Sequence, residues 1–361
     1  SANPSPAPAF VMQLSANALG AHVAQGLKSL YTVYGDEALL VQEACDVIRA
    51  QARASGFSER VVHTVAGARF DWSEVIASGA SLSLFADKQL IEVRIPSGKP
   101  GKDGSTALQD LAHMAARSEE TLTLVVLPRL DGAATKSGWF GALDGSGVTV
   151  KVDSVDRGAL PNWIAQRLGM QGQRVQTGEQ GQQTLAYFAD RVEGNLLAAH
   201  QEIQKLGLLY PQGDITLAHI ESAVFNVARY DAFKLSEAVL SGKLGRVQRM
   251  LDGLEAEGVA AVLVHWALAE DIRTLNRVKA ATSAGKALPM ALRDNRVWGP
   301  RERLMERVLP TLQTKQLAQW VVLAHAVDGV VKGLPQDDLP KAPWRALHHM
   351  ATVVCGHCAM A

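Results

Sequence analysis

The sequence predicts an α/β domain built on a mainly parallel sheet, then a small helical domain, then an all-helical domain. Three observations predict this. Strand-like and helix-like segments alternate up to about residue 152. The strand signal vanishes after residue 153. The 361-residue length is too great for one compact core.

Five segments of the first part have the β-branched and aromatic composition of strands: Leu30-Tyr-Thr-Val-Tyr34, Arg60-Val-Val-His-Thr-Val65, Gln89-Leu-Ile-Glu-Val-Arg-Ile95, Leu122-Thr-Leu-Val-Val-Leu127 and Val148-Thr-Val-Lys-Val152. Helical stretches lie between them. The clearest runs from Asp36 to Arg53, with Leu40, Ala44, Val47, Ile48 and Ala52 on one face. Such alternation implies parallel strands with helices on both sheet faces, so residues 12–152 form the predicted α/β domain.

Residues 153–226 read as a helical domain, with helices at Ala159 to Leu168, Gln182 to Val192 and Asn195 to Leu209, broken by Gly169, Gly172, Gly194 and a Pro211-Gln-Gly turn. Residues 227–361 continue as helices at Asp231 to Leu240, Leu244 to Ala256, Val259 to Ala280, Arg301 to Val308, Thr314 to Lys332 and Trp344 to Val354. No repeat of constant period suggests a solenoid.

The 36 basic and 36 acidic residues balance, so no global charge marks a nucleic-acid or membrane binder. No uninterrupted apolar run is long enough to span a bilayer. Ser1 to Phe10 read as a loose leader or tag remnant, with Met12 as the natural start. Three cysteines without an export signal fit a reduced cytoplasmic setting.

A phosphate-binding loop would end the first strand in a glycine-rich turn closing on Gly-Lys-Ser/Thr. Here the strand runs into Val33-Tyr-Gly-Asp-Glu-Ala-Leu-Leu40, placing Asp36 and Glu37 where phosphate would approach. Those carboxylates repel an anion but suit a helix N-terminus. No Gly-Lys-Ser or Gly-Lys-Thr occurs anywhere; Gly98-Lys99-Pro100 and Gly101-Lys102-Asp103 read as a flexible loop. The fourth strand runs into Pro128-Arg-Leu-Asp131, leaving one displaced carboxylate to organise magnesium. The expectation is a chain without ATPase activity, catalytic residues, cofactor or metal.

The segment Ser81-Leu-Ser-Leu-Phe-Ala-Asp-Lys-Gln-Leu-Ile-Glu-Val-Arg94 puts a large aliphatic beside a large aromatic where an amphipathic segment ends and a strand begins. Neighbouring helical positions point about 100° apart, so Leu84 and Phe85 do not both face one core. An exposed apolar plug and ordinary helix-to-sheet packing both fit.

Tyr34-Gly-Asp-Glu37, Ser83-Leu-Phe-Ala86 with Gln89, Gly194-Asn-Leu-Leu-Ala-Ala-His-Gln-Glu-Ile-Gln-Lys-Leu206 and Arg296-Val-Trp298 follow one another in this order. In that arrangement, without a phosphate loop, the chain from about Met12 resembles the delta subunit of the bacterial DNA polymerase III clamp loader. The resemblance implies an AAA+-like first domain, a helical lid and a helical collar that joins a hetero-pentamer with gamma/tau and delta-prime subunits. It also implies a nucleoid-associated replication protein that grips the beta sliding clamp through Leu82, Leu84 and Phe85, holding it open for loading onto primed DNA. Side chains of that size contribute about 1.5–3 kcal/mol each when buried, enough to dominate a modest interface. The lid lacks an arginine after Gly194-Asn195, consistent with an inert nucleotide slot. Alternatives are another non-catalytic loader subunit of the delta-prime type, or a helical scaffold unrelated to replication.

Between Arg273 and Arg307, nine basic residues outnumber Asp294, Glu302 and Glu306. Arg293, Arg296, Trp298 and Arg301 are the candidate DNA contacts, Trp298 as a stacking surface; solvated helix faces are the alternative. Cys355-Gly-His-Cys358 copies a thiol–disulfide motif, and with His348, His349 or His357 it could hold zinc. Its place at the end of a helical stretch favours a frayed tail. Cys45 reads as a packing residue.

Overall fold

The computed structural model describes residues 12–80 and 88–361. They fall into two compact units that divide between Val155 and Asp156. The first opens with β1 (Met12–Ser15), α1 (Ala16–Ala24), β2 (Leu30–Gly35), α2 (Ala38–Ala54), β3 (Glu59–Thr64) and α3 (Trp72–Ala80). It continues with β4 (Gln89–Arg94), α4 (Gly101–Ala115), β5 (Thr121–Leu127), α5 (Gly132–Thr135), α6 (Gly138–Ser146) and β6 (Val148–Val152).

All six strands are parallel, in the order β1-β6-β2-β5-β4-β3. Alternation along β2 divides its side chains between the two faces. Tyr31 and Val33 pack with Leu19, Ala44, Cys45 and Ile48 of α1 and α2. Leu30 packs on the opposite face with Val75, Leu108, Leu111, Phe140 and Leu143 of α3, α4 and α6. Both faces are covered, as an all-parallel sheet requires. The five predicted strands are present within a residue of their expected ends. β1 was not foreseen: four residues are too few for a periodic signal. Gly101-Lys102-Asp103 is not a flexible loop but the first turn of α4, which Gly101 enters at φ 76°.

One charge interrupts the apolar face beneath α2. Glu92 of β4 is fully buried, and Arg49 donates to it at 2.5 and 3.1 Å. Arg60 and Arg94 donate at 3.0 and 2.7 Å. Burial pushes the Glu92 carboxyl up, but these arginines outweigh it and hold the group below the ordinary range.

The second unit contains α7 (Leu160–Met170), β7 (Gln173–Arg174), α8 (Glu179–Val192), α9 (Leu196–Leu209), β8 (Gly213–Asp214) and α10 (Leu217–Ala223). It ends with α11 (Leu235–Leu240), α12 (Leu244–Ala256), α13 (Ala261–Ser283), α14 (Leu288–Asp294), α15 (Pro300–Val308), α16 (Thr314–Val331) and α17 (Pro343–Ala359). The last seven helices share one apolar core from Ala232 to Cys358. Buried Ile164, Leu168, Phe188 and Ile203 lie outside that core. The two helical groups are tied together at Glu193 and Gly194. The Arg229 amide donates to the Glu193 carbonyl at 2.7 Å, Asn195 donates to the Val227 carbonyl at 3.0 Å, and Arg246 pairs with Glu193. Asp190 accepts Arg157 and Arg249 at 2.9 and 3.1 Å.

The C-terminal segment is not frayed. α17 continues through Cys355 and Cys358, both buried against the helical core. Arg307 holds its end by donating to the carbonyls of Leu240, Cys358 and Ala361 at 2.7, 3.3 and 3.3 Å.

Candidate functional site

The carboxyl ends of parallel strands are where α/β proteins ordinarily bind ligands. At the end of β2 only Asp36 and Glu37 separate Gly35 from the start of α2. Gly35 backs onto β6 so closely that a Cβ would stand 2.3 Å from the Val152 carbonyl oxygen. The turn therefore has no length to wrap a phosphate. Glu37 takes the N-cap position of α2, and burial raises its carboxyl above the ordinary range. Asp131, the displaced carboxylate after β5, caps α5 by accepting the Ala134 amide at 2.7 Å.

Leu82, Leu84 and Phe85 lie outside the described residues. Their flanks are well defined. α3 ends at Ala80 and β4 begins at Gln89, so these flanks stand at the amino-terminal edge of the sheet, opposite the acidic turn. Gln89 is buried and donates its side-chain amide to the Ser78 carbonyl at 2.9 Å. The Ser78 hydroxyl lies 2.9 Å from His63 Nε2. Strand β4, helix α3 and edge strand β3 thus fix both ends of the segment.

Most of the basic residues between Arg273 and Arg307 are committed internally. Arg273 and Arg277 pair with Glu270 at 3.1 and 3.0 Å, and Lys286 pairs with Asp294. Lys279 donates to the Leu309 carbonyl at 3.2 Å. Arg301, a candidate DNA contact, donates to Asp271 at 2.6 Å. Among the described residues, Arg293, Arg296 and Arg303 are exposed with side chains that make no ion pair or hydrogen bond.

Trp298 stands with them, 64% exposed. The backbone explains its presentation. α14 closes with Arg296 in the left-handed region at φ 58°, its amide donating to the Arg293 carbonyl at 2.9 Å. The Val297 amide donates to the Leu292 carbonyl, also at 2.9 Å, and both side chains are buried together. This paired closure is a Schellman motif, which favours glycine where Arg296 stands. Gly299, at φ 69°, then turns the chain into α15. The tryptophan and its basic neighbours were visible in sequence, but their division into paired and unpaired groups was not. Arg303 is the free cation that sequence reasoning did not single out.

Cys355 and Cys358 do not form a reactive pair. Burial raises both thiols, that of Cys358 to about 12. His348 lies 3.0 Å from Asp252, and His357 lies 3.0 Å from both Thr311 and Gln316, so neither is turned to a metal with the cysteines. Among the described residues no cluster of three or more His, Cys, Asp or Glu side chains could hold a metal. No described helix is long and apolar enough to cross a membrane.

The chain thus combines a parallel α/β sheet domain, with an acidic turn at the end of its β2 strand, and a helical C-terminal region. Residues 31–153 match the family model for the DNA polymerase III delta subunit. Over 345 residues the chain is 29% identical to DNA polymerase III subunit delta of Escherichia coli strain K12, spanning 96% of this chain and 97% of that protein. It is 29% identical over 263 residues to the subunit of the same name from Haemophilus influenzae, spanning 71% and 73%. The solved structure of the Bacillus subtilis DNA clamp loader delta protein aligns with a TM-score of 0.48 and 16% identity, over 94% of this chain and 98% of that one. In its sequence the chain is thus similar to DNA polymerase III delta subunits, over nearly its full length in the Escherichia coli comparison.

Proposed function

We propose that this chain binds the beta sliding clamp through Leu82, Leu84 and Phe85 and holds it open for loading onto primed DNA. The observation that carries the reading is the bridged pair of flanks: α3 ends at Ala80, β4 begins at Gln89, and the Gln89–Ser78 hydrogen bond joins them on either side of the apolar residues. Rigid flanks lower the ordering cost of docking such a segment. The plug must favour the open clamp, because only differential affinity shifts a conformational equilibrium.

The chain contributes no catalysis in this reading. It acts as a passive lever in a hetero-pentamer with gamma/tau and delta-prime subunits, whose nucleotide state exposes or hides the plug. The acidic, shortened turn after β2 supports a subunit that responds to ATP held by its neighbours. The second unit, from Asp156, carries most of the lid, residues 153–226, and the whole collar, residues 227–361. The separate core of the collar supports that division.

Immobilised clamp binding to wild type and to Leu84→Ala/Phe85→Ala, with folding checked by circular dichroism, tests the reading. Binding lost in a folded double variant establishes the plug. Equal binding places the interface elsewhere.

A second contact follows from the Trp298 platform. Arg293, Arg296 and Trp298, with Arg303 beside them in sequence, make a stacking surface with free cations, suited to single-stranded DNA next to a primer. An arginine kept at a left-handed position where glycine fits better points to use at that place.

A further inference from the structure

The Trp298 loop is held at two points. Val297, 1% exposed, anchors its entry in the helical core. Three residues after Trp298, Arg301 reaches from the first turn of α15 to α13, where its guanidinium donates to Asp271 at 2.6 Å. Asp271 is 6% exposed. Only Trp298, Gly299 and Pro300 separate the two anchors, and proline fixes one of the backbone torsions between them.

We infer that Asp271 is a positioning residue for nucleic-acid binding: through Arg301 it holds the loop that presents Trp298, while Arg301 itself contributes no phosphate contact. This rests on the Trp298 platform reading above. It assigns Arg301 a different role from Arg293, Arg296 and Arg303. Arg301 is ion-paired to Asp271 at 2.6 Å and its Nε is buried, so its charge is directed into the protein and has little attraction left for a phosphate. The three unpaired arginines keep theirs for the backbone of a single strand. An ion pair that is 30 positions long in sequence and crosses two helices is also a stiff connection, because breaking it strands a buried carboxylate.

The full chain binding a fluorescein-labelled oligothymidylate, followed by anisotropy across a salt series, separates contact from positioning. A phosphate contact removed from a single strand lowers the slope of log affinity against log salt by about 0.7. Arg296→Gln and Arg303→Gln are expected to do so. Arg301→Gln and Asp271→Asn are expected to weaken binding about fivefold each without lowering that slope, and the double variant to be no weaker than either, since both break one connection. Hydrogen exchange of the 295–299 amides should rise equally in both.

A lowered slope in Arg301→Gln, or unchanged exchange in Asp271→Asn, overturns the positioning role. If Asp271→Asn does not fold, Arg301→Gln is read alone; wild-type exchange there together with wild-type affinity would show that the connection carries nothing. Failure of the platform reading looks different. Wild type and Trp298→Ala then bind the oligonucleotide alike, or wild type does not bind. Either result ends the nucleic-acid role of Asp271.

Discussion

Gln89 and Ser78, eleven positions apart, are joined by a 2.9 Å hydrogen bond from the Gln89 side-chain amide to the Ser78 carbonyl. The bond closes a short bridge between the end of α3 and the start of β4, across the segment that carries Leu82, Leu84 and Phe85. Replacing Gln89 by Ala removes a buried donor and releases that bridge. Loss of about 1–3 kcal/mol in stability is expected, with weaker clamp binding expressed mainly as faster dissociation. Thermal melts and surface-binding kinetics check the two effects. Unchanged dissociation from a destabilised variant would separate the bridge from the interface.

Glu92 should make the first unit sensitive to acid. Its folded pKa lies below its unfolded value, so its contribution is fully present above the unfolded pKa, roughly 4.3. That contribution is lost as pH falls through the folded value. Glu92→Gln removes a buried charge from three arginines, two of them solvent-exposed enough to be screened, and should cost about 1.5–3 kcal/mol at neutral pH. Its stability should then vary less than wild type between pH 5 and the acid limit. Urea denaturation at a series of pH values measures both.

Gly194 should tolerate no side chain. It sits at φ 76°, and a Cβ there would stand 1.7 Å from the Arg229 carbonyl oxygen. Gly194→Ala must displace the strand-like return of residues 227–229 and loosen the pairing of Glu193 with Arg246. A cost of about 3 kcal/mol or more follows from strain added to lost hydrogen bonds. Limited proteolysis should report new cleavage near residues 224–230.

Arg296→Gly should separate stability from binding. Glycine relieves the left-handed backbone and is expected to stabilise the chain by about 1 kcal/mol. The same substitution deletes an exposed cation and should weaken single-stranded DNA binding. A variant that melts higher and binds worse is the predicted combination; equal binding would remove Arg296 from the platform.

The cysteines should be inert in the folded chain. Burial holds Cys45 and Cys358 at about 12, and raises Cys355 as well. Titration with a thiol reagent at pH 8 should be slow in buffer and rapid in guanidinium. Fast modification of two thiols in the native chain would bring back the redox alternative.

The strands of the first unit were legible because parallel strands covered on both faces read as apolar β-branched runs, and Leu122 to Leu127 is a clear example. β1 was not legible, since Met12–Ser15 offers only one alternation. The tail was misread for a different reason. The motif closes a helical stretch at the C-terminal end, where helices commonly fray, yet Arg307, far back in the sequence, caps the helix that contains it. Of the candidate site, Trp298 and its arginines could be seen, but the pairing of Arg301 with Asp271 could not. Local charge counts do not reveal partners on another helix. The apolar segment around Leu84 and Phe85 stood out in sequence through its composition, whereas the Gln89 side chain that ties its ends belongs to tertiary structure.

The contact between Gly35 and Val152 means that a phosphate loop at this turn would have to be built by insertion. A phosphate loop occupies eight motif positions around its lysine, while here two residues cross from strand to helix with the neighbouring strand already against the glycine. Restoring Lys and Ser or Thr would supply the chemical groups without the chain length to place them. Point mutation alone therefore cannot make this turn a phosphate loop. Exchanging Asp36 and Glu37 for other residues would change the charge of the turn while leaving its length, and so its reach, unchanged.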